Sequence, residues 1–370
     1  MKFVEEFRDP QSAQGLIGEI RRLVRPDRQY RFMEFCGGHT HAIARHGLKA
    51  LLPPNVVLIH GPGCPVCILP SGRIEMALDL CRHRPEVRLH VYGDCLRVPG
   101  TRGQTLESAR AEGARVELVH SPREVLERAR QDPRSQHVFL AIGFETTAPA
   151  TAYLAQSILE EGFEHISLIV NHVLTPPAIS ALLVDPRTQI DGIIGPAHVS
   201  VVIGYRAYLT VAEAYQCPIV VTGFEPLDLL DSLVRLVRQV NQEKAQLENQ
   251  FSRAVSADGN LRAQAIMAKF FEIRPEFEWR GLGMIRDSAL RLRDEYPQLD
   301  AEQRFSLVER PAEDHRACEC AAVLRGQIQP EACRVFGTAC TPETPLGACM
   351  VSSEGACAAH YRYGRTRIPR

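Results

Sequence analysis

The chain has no apolar run approaching the roughly 18 to 20 residues that a membrane-spanning helix requires, so no such helix is expected. It lacks a GxxxxGKS or GxxxxGKT phosphate loop and a GxGxxG turn, which leaves nucleotide binding without support. A GxSxG serine elbow is missing too. Neither sign of charge is in excess: 43 Lys and Arg against 44 Asp and Glu leave a formal net charge of −1. No global field therefore draws in nucleic acid or an anionic membrane, and partners must be recognised locally. The opening MKFVEEFRDP is charged and carries no apolar signal region, and a chain of 370 residues does not need disulfide staples. A cytoplasmic, reducing location is expected rather than a secreted disulfide framework.

Cysteine is what the chain does have, and it is unevenly placed. Six of its twelve cysteines fall in the stretch 318–370: Cys318, Cys320, Cys333, Cys340, Cys349 and Cys357. Three more sit near the front, Cys36 in FCGGHTHAI and Cys64 and Cys67 in GPGCPVC. Cys81, Cys95 and Cys217 lie in or beside apolar segments and read as packing residues.

From about residue 30 to 225, short β-rich runs alternate with helix-like stretches. The candidate strands are 31–35, 56–59, 88–92, 116–119, 137–142, 166–170, 192–194 and 218–222. Such alternation predicts parallel sheets with crossover helices, in one or two α/β domains. After residue 226 a long polar helix-like stretch leads into a region with few strand signals, read as helix and loop from about 235 onwards. The segment 1–27 reads as helical, ending at Pro26.

In open α/β sheets functional groups collect where strands end and turn toward helices. Cys36, Gly61 to Cys67, and Asp94 with Cys95 each follow a predicted strand. If those strands share a sheet, Cys36, His39, His41, Cys64 and Cys67 emerge on one rim. Gly37 and Gly38 permit a tight turn, and a helix starting at Cys36 is expected to lower its thiol pKa and favour metal binding. Cys36 is the first-choice iron-binding thiolate, with His39 the adjacent ligand or proton carrier. The CPVC spacing suits a reversible dithiol, while a zinc knuckle is the rival reading, weakened because no second CxxC exists in the chain. Glu145 in GFETTAP is placed to orient an imidazole or act as a base, with Thr146 and Thr147 as caps. His172 and His198 are second-rank candidates. The pattern C-x(14)-C-x(6)-C-x(16)-C formed by Cys318, Cys333, Cys340 and Cys357 favours an iron-sulfur cluster, with thiolate-only zinc requiring the same donors. Cys320 could replace Cys318 in that set.

The motifs FMEFCGGHTHAIARHGL, GPGCPVC, GFETTAPA, PAHVS and ACTPETPLGACMVSSEGACAAHYRY together resemble the HypD hydrogenase-maturation proteins, from about residue 30 nearly to the end. The resemblance implies two similar parallel-sheet α/β domains plus a mainly helical, loop-rich C-terminal iron-sulfur domain. The corresponding boundaries are 28–120 for the first, with CGGHTH and CxxC, 121–234 for the second, with GFETT, and 1–27 with 235–370 for the third. It also implies a scaffold that, with the small partner HypC, carries iron while cyanide and carbon monoxide ligands are installed. Cyanide would come from HypE, and the Fe(CN)2CO unit would pass to the large hydrogenase subunit. Cys36 would be the essential iron ligand with His39 beside it, Cys64 and Cys67 the redox pair, and Cys318, Cys333, Cys340 and Cys357 the 4Fe-4S ligands. An exposed apolar patch near Cys36, partly from AIARHGLKALLP, is expected to dock the partner. The alternative function is a 4Fe-4S-dependent protein disulfide reductase, which leaves CGGHTH without a role.

Overall fold

In the computed structural model the described residues are 5–364, so the first four residues of the expected N-terminal helix and the last six of the C-terminal region lie outside them. The strands are β1 (Tyr30–Glu34), β2 (Val56–His60), β3 (Val87–Val91), β4 (Val116–Leu118), β5 (Gln136–Gly143), β6 (Ile166–His172), β7 (Gly192–Pro196), β8 (Ile219–Thr222), β9 (Leu247–Asn249), β10 (Phe271–Trp279) and β11 (Gly283–Leu292). One parallel sheet has the order β2-β1-β7-β8-β9 and a second has β4-β3-β5-β6. Strands such as β6 are buried along their whole length, as sheets covered by helices on both faces require. Together with the helix- and loop-rich cysteine region, this is the α/β architecture expected.

The sheets do not follow the boundaries 28–120 and 121–234. After His60 the chain leaves the first sheet, builds the second from β3 to β6, and returns at Gly192, where Phe32 of β1 pairs with β7. β3 therefore does not share a sheet with β1 and β2. The N-terminal helix Pro10–Leu23 packs on the helix Pro226–Asn241, which crosses the expected boundary at 235. It presses Ile17 and Ile20 into a core shared with Phe32, Leu58 and the Leu229 to Val240 face of the helix Pro226–Asn241. The amphipathic stripe finds the apolar face of the first sheet.

A second departure is the hairpin β10–β11, antiparallel, where few strands were expected. A bulge between Arg274 and Glu276 accommodates Pro275, which cannot donate to a ladder. Leu174 N–H donates to Ser288 O at 2.8 Å, and Phe271, Leu290 and Leu292 join the core on one face of the second sheet. No helix among the described residues is long and apolar enough to cross a membrane.

Behind the CxxC turn runs the helix Ser71–His83. Its Arg73 is fully buried and donates to Asn171 Oδ1 at 2.5 Å, Val170 O at 3.4 Å, Glu309 at 3.3 Å and both oxygens of Glu302. Burial would raise the Glu302 carboxyl, but Arg73 and then Arg274 hold it down at about 2. Removing one partner strands the other charge. Arg73→Ala is expected to lower the unfolding free energy by about 3 to 5 kcal/mol, measured by urea denaturation. Because Glu302 is depressed in the folded state, its contribution is present above its unfolded pKa of 4.5 and disappears as the pH falls toward 2. That acid dependence should shrink in the variant; identical urea midpoints across pH would contradict the assignment.

Candidate functional site

β1 and β2 lie side by side, Glu34 opposite His60, so the turns that follow them are neighbours. Cys36 has extended backbone and caps the helix Gly37–His46, while Cys64 caps the short helix Pro65–Ile68. Gly37 N–H donates to Gly63 O at 3.1 Å. A Cβ on Gly63 would stand 2.5 Å from the Cys36 nitrogen, and one on Gly38 would stand 2.8 Å from the Phe224 ring. The glycines of both motifs are thus demanded by close approach.

Cys36 opens onto a cavity of about 400 Å³. Phe35, Gly63, Pro65 and Val66 form one wall; Tyr92 to Asp94, Ile142 to Phe144, Thr146 and Thr147 form the other; His198, Val199 and Glu354 complete it. The carboxyl edges of two sheets, rather than one rim, face each other across the space.

Burial overrides the helix dipole at Cys36. Loss of hydration, then the Glu354 charge, push its thiol up to about 12, and backbone N–H groups of Gly38 and His39 only partly oppose this. The metal-free residue is a thiol, and ligation must displace its proton. His39 is fully buried, lies one turn along, and does not line the cavity. Its Nε2 lies 2.9 Å from Thr222 O and its Nδ1 has no partner. With Nε2 as the donor, Nδ1 is a free lone pair; burial lowers the ring to about 4. His198, a second-rank expectation, lines the cavity with its ring 4.0 Å from Phe224. His41 instead meets Tyr363, 3.1 Å from its hydroxyl, and buried His172 lies 2.8 Å from Thr151 Oγ1.

Glu145 is buried, and its oxygens accept Thr175 N–H at 2.7 Å and Thr175 Oγ1–H at 2.9 Å. It braces the turn whose Phe144, Thr146 and Thr147 line the cavity, and burial raises its carboxyl to about 7. The expected apolar patch is mostly interior: Ala42, Ile43, Leu48 and Leu52 are buried, leaving Leu51 exposed.

Sequence reasoning missed the polar chain beneath Cys36. Fully buried Glu34 accepts Cys36 N–H at 3.2 Å and the Thr40 hydroxyl, and its Oε1 lies 2.6 Å from His60 Nδ1. His60 Nε2 lies 2.8 Å from His360 Nε2 and 3.1 Å from Lys49 Nζ, and His360 Nδ1 meets Glu331. Burial lifts Glu34 to about 8 and lowers Lys49 to about 8. A glutamate inside the apolar strand RFME was the available signal.

Cys64 and Cys67 are buried and paired as a disulfide, with Cα atoms 5.3 Å apart. Cys67 Sγ lies 4.0 Å from the carbonyl of Ala348, the neighbour of Cys349. The dithiol thus has the cavity on one side, through Pro65 and Val66, and the cysteine region on the other.

In that region Cys320 opens the helix Cys320–Leu324, Cys349 sits in the turn Ala348–Met350 and Cys357 lies in the helix Ala356–Gly364. Cys340 Sγ accepts Leu346 N–H at 3.4 Å. A Cβ on Gly347 would collide with Cys318 Sγ. The Cys357 thiol is pushed up by burial and then by Cys320, Cys318, Cys340 and Cys333, so these sulfurs share one neighbourhood. Among the described residues no group of three or more His, Cys, Asp or Glu is set to hold a single metal ion. A four-iron cluster takes one thiolate per iron, which spreads its ligands wider than those of one ion, and this all-sulfur set fits it.

The HypD family model, described as "Hydrogenase formation hypA family", matches residues 11–364. The chain is 54% identical over 372 residues to "Hydrogenase maturation factor HypD" of Azotobacter vinelandii, covering 99% of this chain and 98% of that protein. The same name is carried by a protein of Cupriavidus necator, 52% identical over 371 residues with 99% and 98% covered. A third, from Escherichia coli, is 44% identical over 368 residues with 98% of each covered.

The raised Cys36 thiol has a measurable consequence. In metal-free protein at pH 8 its alkylation should be slower than that of an unperturbed thiol by on the order of a thousandfold, from the thiolate fraction. Gly63→Ala should push Cys36 out of place, cost about 1 to 3 kcal/mol and speed that alkylation. Peptide-resolved mass spectrometry reads both; rapid labelling of Cys36 in the parent chain would contradict the account.

Proposed function

The chain belongs to the HypD family, and on that footing we propose that it is a hydrogenase maturation factor holding the iron of a NiFe active site while diatomic ligands are attached. One observation carries the reading: a single buried cysteine opens onto a cavity between two sheet edges, with a dithiol turn in its wall. Iron bearing cyanide and carbon monoxide is cargo, and it prefers soft thiolate donors. Cys36 loses its proton as it takes up the metal. Behind the cavity lining, in the same turn of helix, His39 has an unpartnered Nδ1 that would serve as a proton acceptor. Glu145 keeps the opposite wall in place through Thr175. A HypC-type small partner would add the second thiolate and cover the mouth of the cavity, a HypE-type protein would deliver cyanide, and the large hydrogenase subunit would receive the finished Fe(CN)2CO unit. A reducing cytoplasm suits a chain with this many free thiols.

Cys318, Cys333, Cys340 and Cys357 would hold a 4Fe-4S cluster, which when bound supplies electrons one at a time. The Cys64 and Cys67 pair exchanges two electrons and two protons between disulfide and dithiol. Its place between cavity and cysteine region supports a thiol redox role linked to the cargo site.

Infrared spectroscopy of the chain purified anaerobically with its small partner tests this. Cyanide and carbon monoxide bands are expected in the parent and absent from Cys36→Ala, whose unfolding free energy should change by no more than about 1 kcal/mol. Cys64→Ala should keep the fold but alter the redox titration. Bands persisting in Cys36→Ala would overturn the assignment.

A further inference from the structure

Arg280 sits where three parts of the molecule meet. Its N–H donates to Ile68 O at 2.8 Å, tying the β10–β11 turn to the CxxC helix. The next residue, Gly281, has φ +78°, and a Cβ there would stand 2.9 Å from the Cα of Ala321, beside Cys320. The turn is wedged between the dithiol and the cysteine region.

Only 4% of Arg280 is exposed. Its Nε donates to Asp314 Oδ1 at 2.7 Å, an oxygen that also accepts Ser71 Oγ–H at 2.6 Å, and its Nη2 donates to Pro99 O at 3.0 Å. Nη1 is buried and has no partner. A buried guanidinium nitrogen left unsatisfied costs more than a neutral donor would, so an acceptor is called for. Arg280 also borders a cavity of about 580 Å³, yet Nη1 presents no surface to solvent and so faces inward. Leu346, on the wall of the same cavity, gives its N–H to Cys340 Sγ. The turn that carries Arg280 packs Gly281 against Ala321, next to Cys320, so its inward side is the cysteine side.

We infer that Arg280 is a positioning residue for the cysteine region: its unpartnered Nη1 is the donor that a bound cluster's sulfur would take, and its fixed positive charge offsets the negative charge of a thiolate-bound cluster. The inference rests on the cluster reading above. Hydrogen bonds to sulfur and local net charge are the levers by which a protein sets a cluster's potential. One-electron reduction, with the electron drawn from an added titrant, places one more negative charge on the cluster. Arg280 favours that reduced form, and Asp314 and Pro99 O hold the guanidinium so that it cannot swing out to solvent.

The test is a spectroelectrochemical titration of the full chain after anaerobic reconstitution, with iron and sulfide measured per chain. Arg280→Met should retain the cluster and weaken its reduction equilibrium about tenfold, a shift of about 59 mV to more negative potential. Arg280→Lys, which keeps the charge, should recover more than half of that shift. A cluster retained by the lysine variant and lost from the methionine variant also supports the inference, since the charge alone separates them. An unchanged potential in a fully loaded Arg280→Met overturns it. Loss of the cluster from both variants alike overturns it as well, because it reduces Arg280 to a strut between Ile68 and Pro99. Failure of the parent chain to take up iron and sulfide would instead overturn the cluster reading, and this inference with it.

Discussion

Two adjacent strand ends, β1 and β2, leave no room for a side chain between the turns that follow them. Gly63 lies against the backbone of Cys36, and Gly37 N–H bonds Gly63 O. This contact brings the thiol of one motif and the CxxC of another to the same wall of one cavity. A methyl group there would be met by backbone atoms, which cannot swing aside as a flexible side chain can. The second sheet supplies the facing wall, and Glu354 from the cysteine-rich end closes it.

The same economy of space sets the chemistry. A helix N-terminus ordinarily favours a thiolate, yet Cys36 is so well enclosed that desolvation prevails and the thiol is held protonated. For the proposed cargo site, enclosure would keep water from the metal, and ligation would have to displace the Cys36 proton. The dithiol helix is pinned from behind: Ile68 O receives Arg280, and Arg73 at the start of the next helix reaches the second sheet and Glu302. Cys64 and Cys67 therefore sit on rigid supports, between the cavity and Ala348.

Much of this could be read from the residues. Each of the eight predicted strands corresponds to one of β1 to β8, because short β-branched runs alternating with amphipathic stretches leave little choice. What could not be read was which strands pair. Period and propensity are local, whereas β1 beside β7 is decided by burial of Phe32 against Gly192 across 160 residues. The hairpin was overlooked because Pro275 and four charged residues interrupt FEIRPEFEW, although Phe271, Ile273, Phe277 and Trp279 keep a two-residue period. That the Cys36 turn and the Cys64–Cys67 turn are neighbours was legible from residue type and from their places after predicted strands. The Glu34, His60 and His360 chain was not, since His60 and His360 are 300 residues apart and no local pattern joins them. The direction of the Cys36 shift was misjudged for a related reason: the dipole is visible in sequence, and the depth of burial is not.

On the proposed function, the dithiol turn stands between a cargo cavity at Cys36 and an iron-sulfur region. Anomalous diffraction at the iron edge, from anaerobic crystals of the loaded chain with its small partner, examines that placement most directly. The account predicts one peak within bonding distance of Cys36 Sγ and a stronger one among Cys318, Cys333, Cys340 and Cys357, with Cys64 and Cys67 lying between them. Iron bound away from Cys36, or a cysteine region whose only anomalous scatterer is zinc, would contradict it.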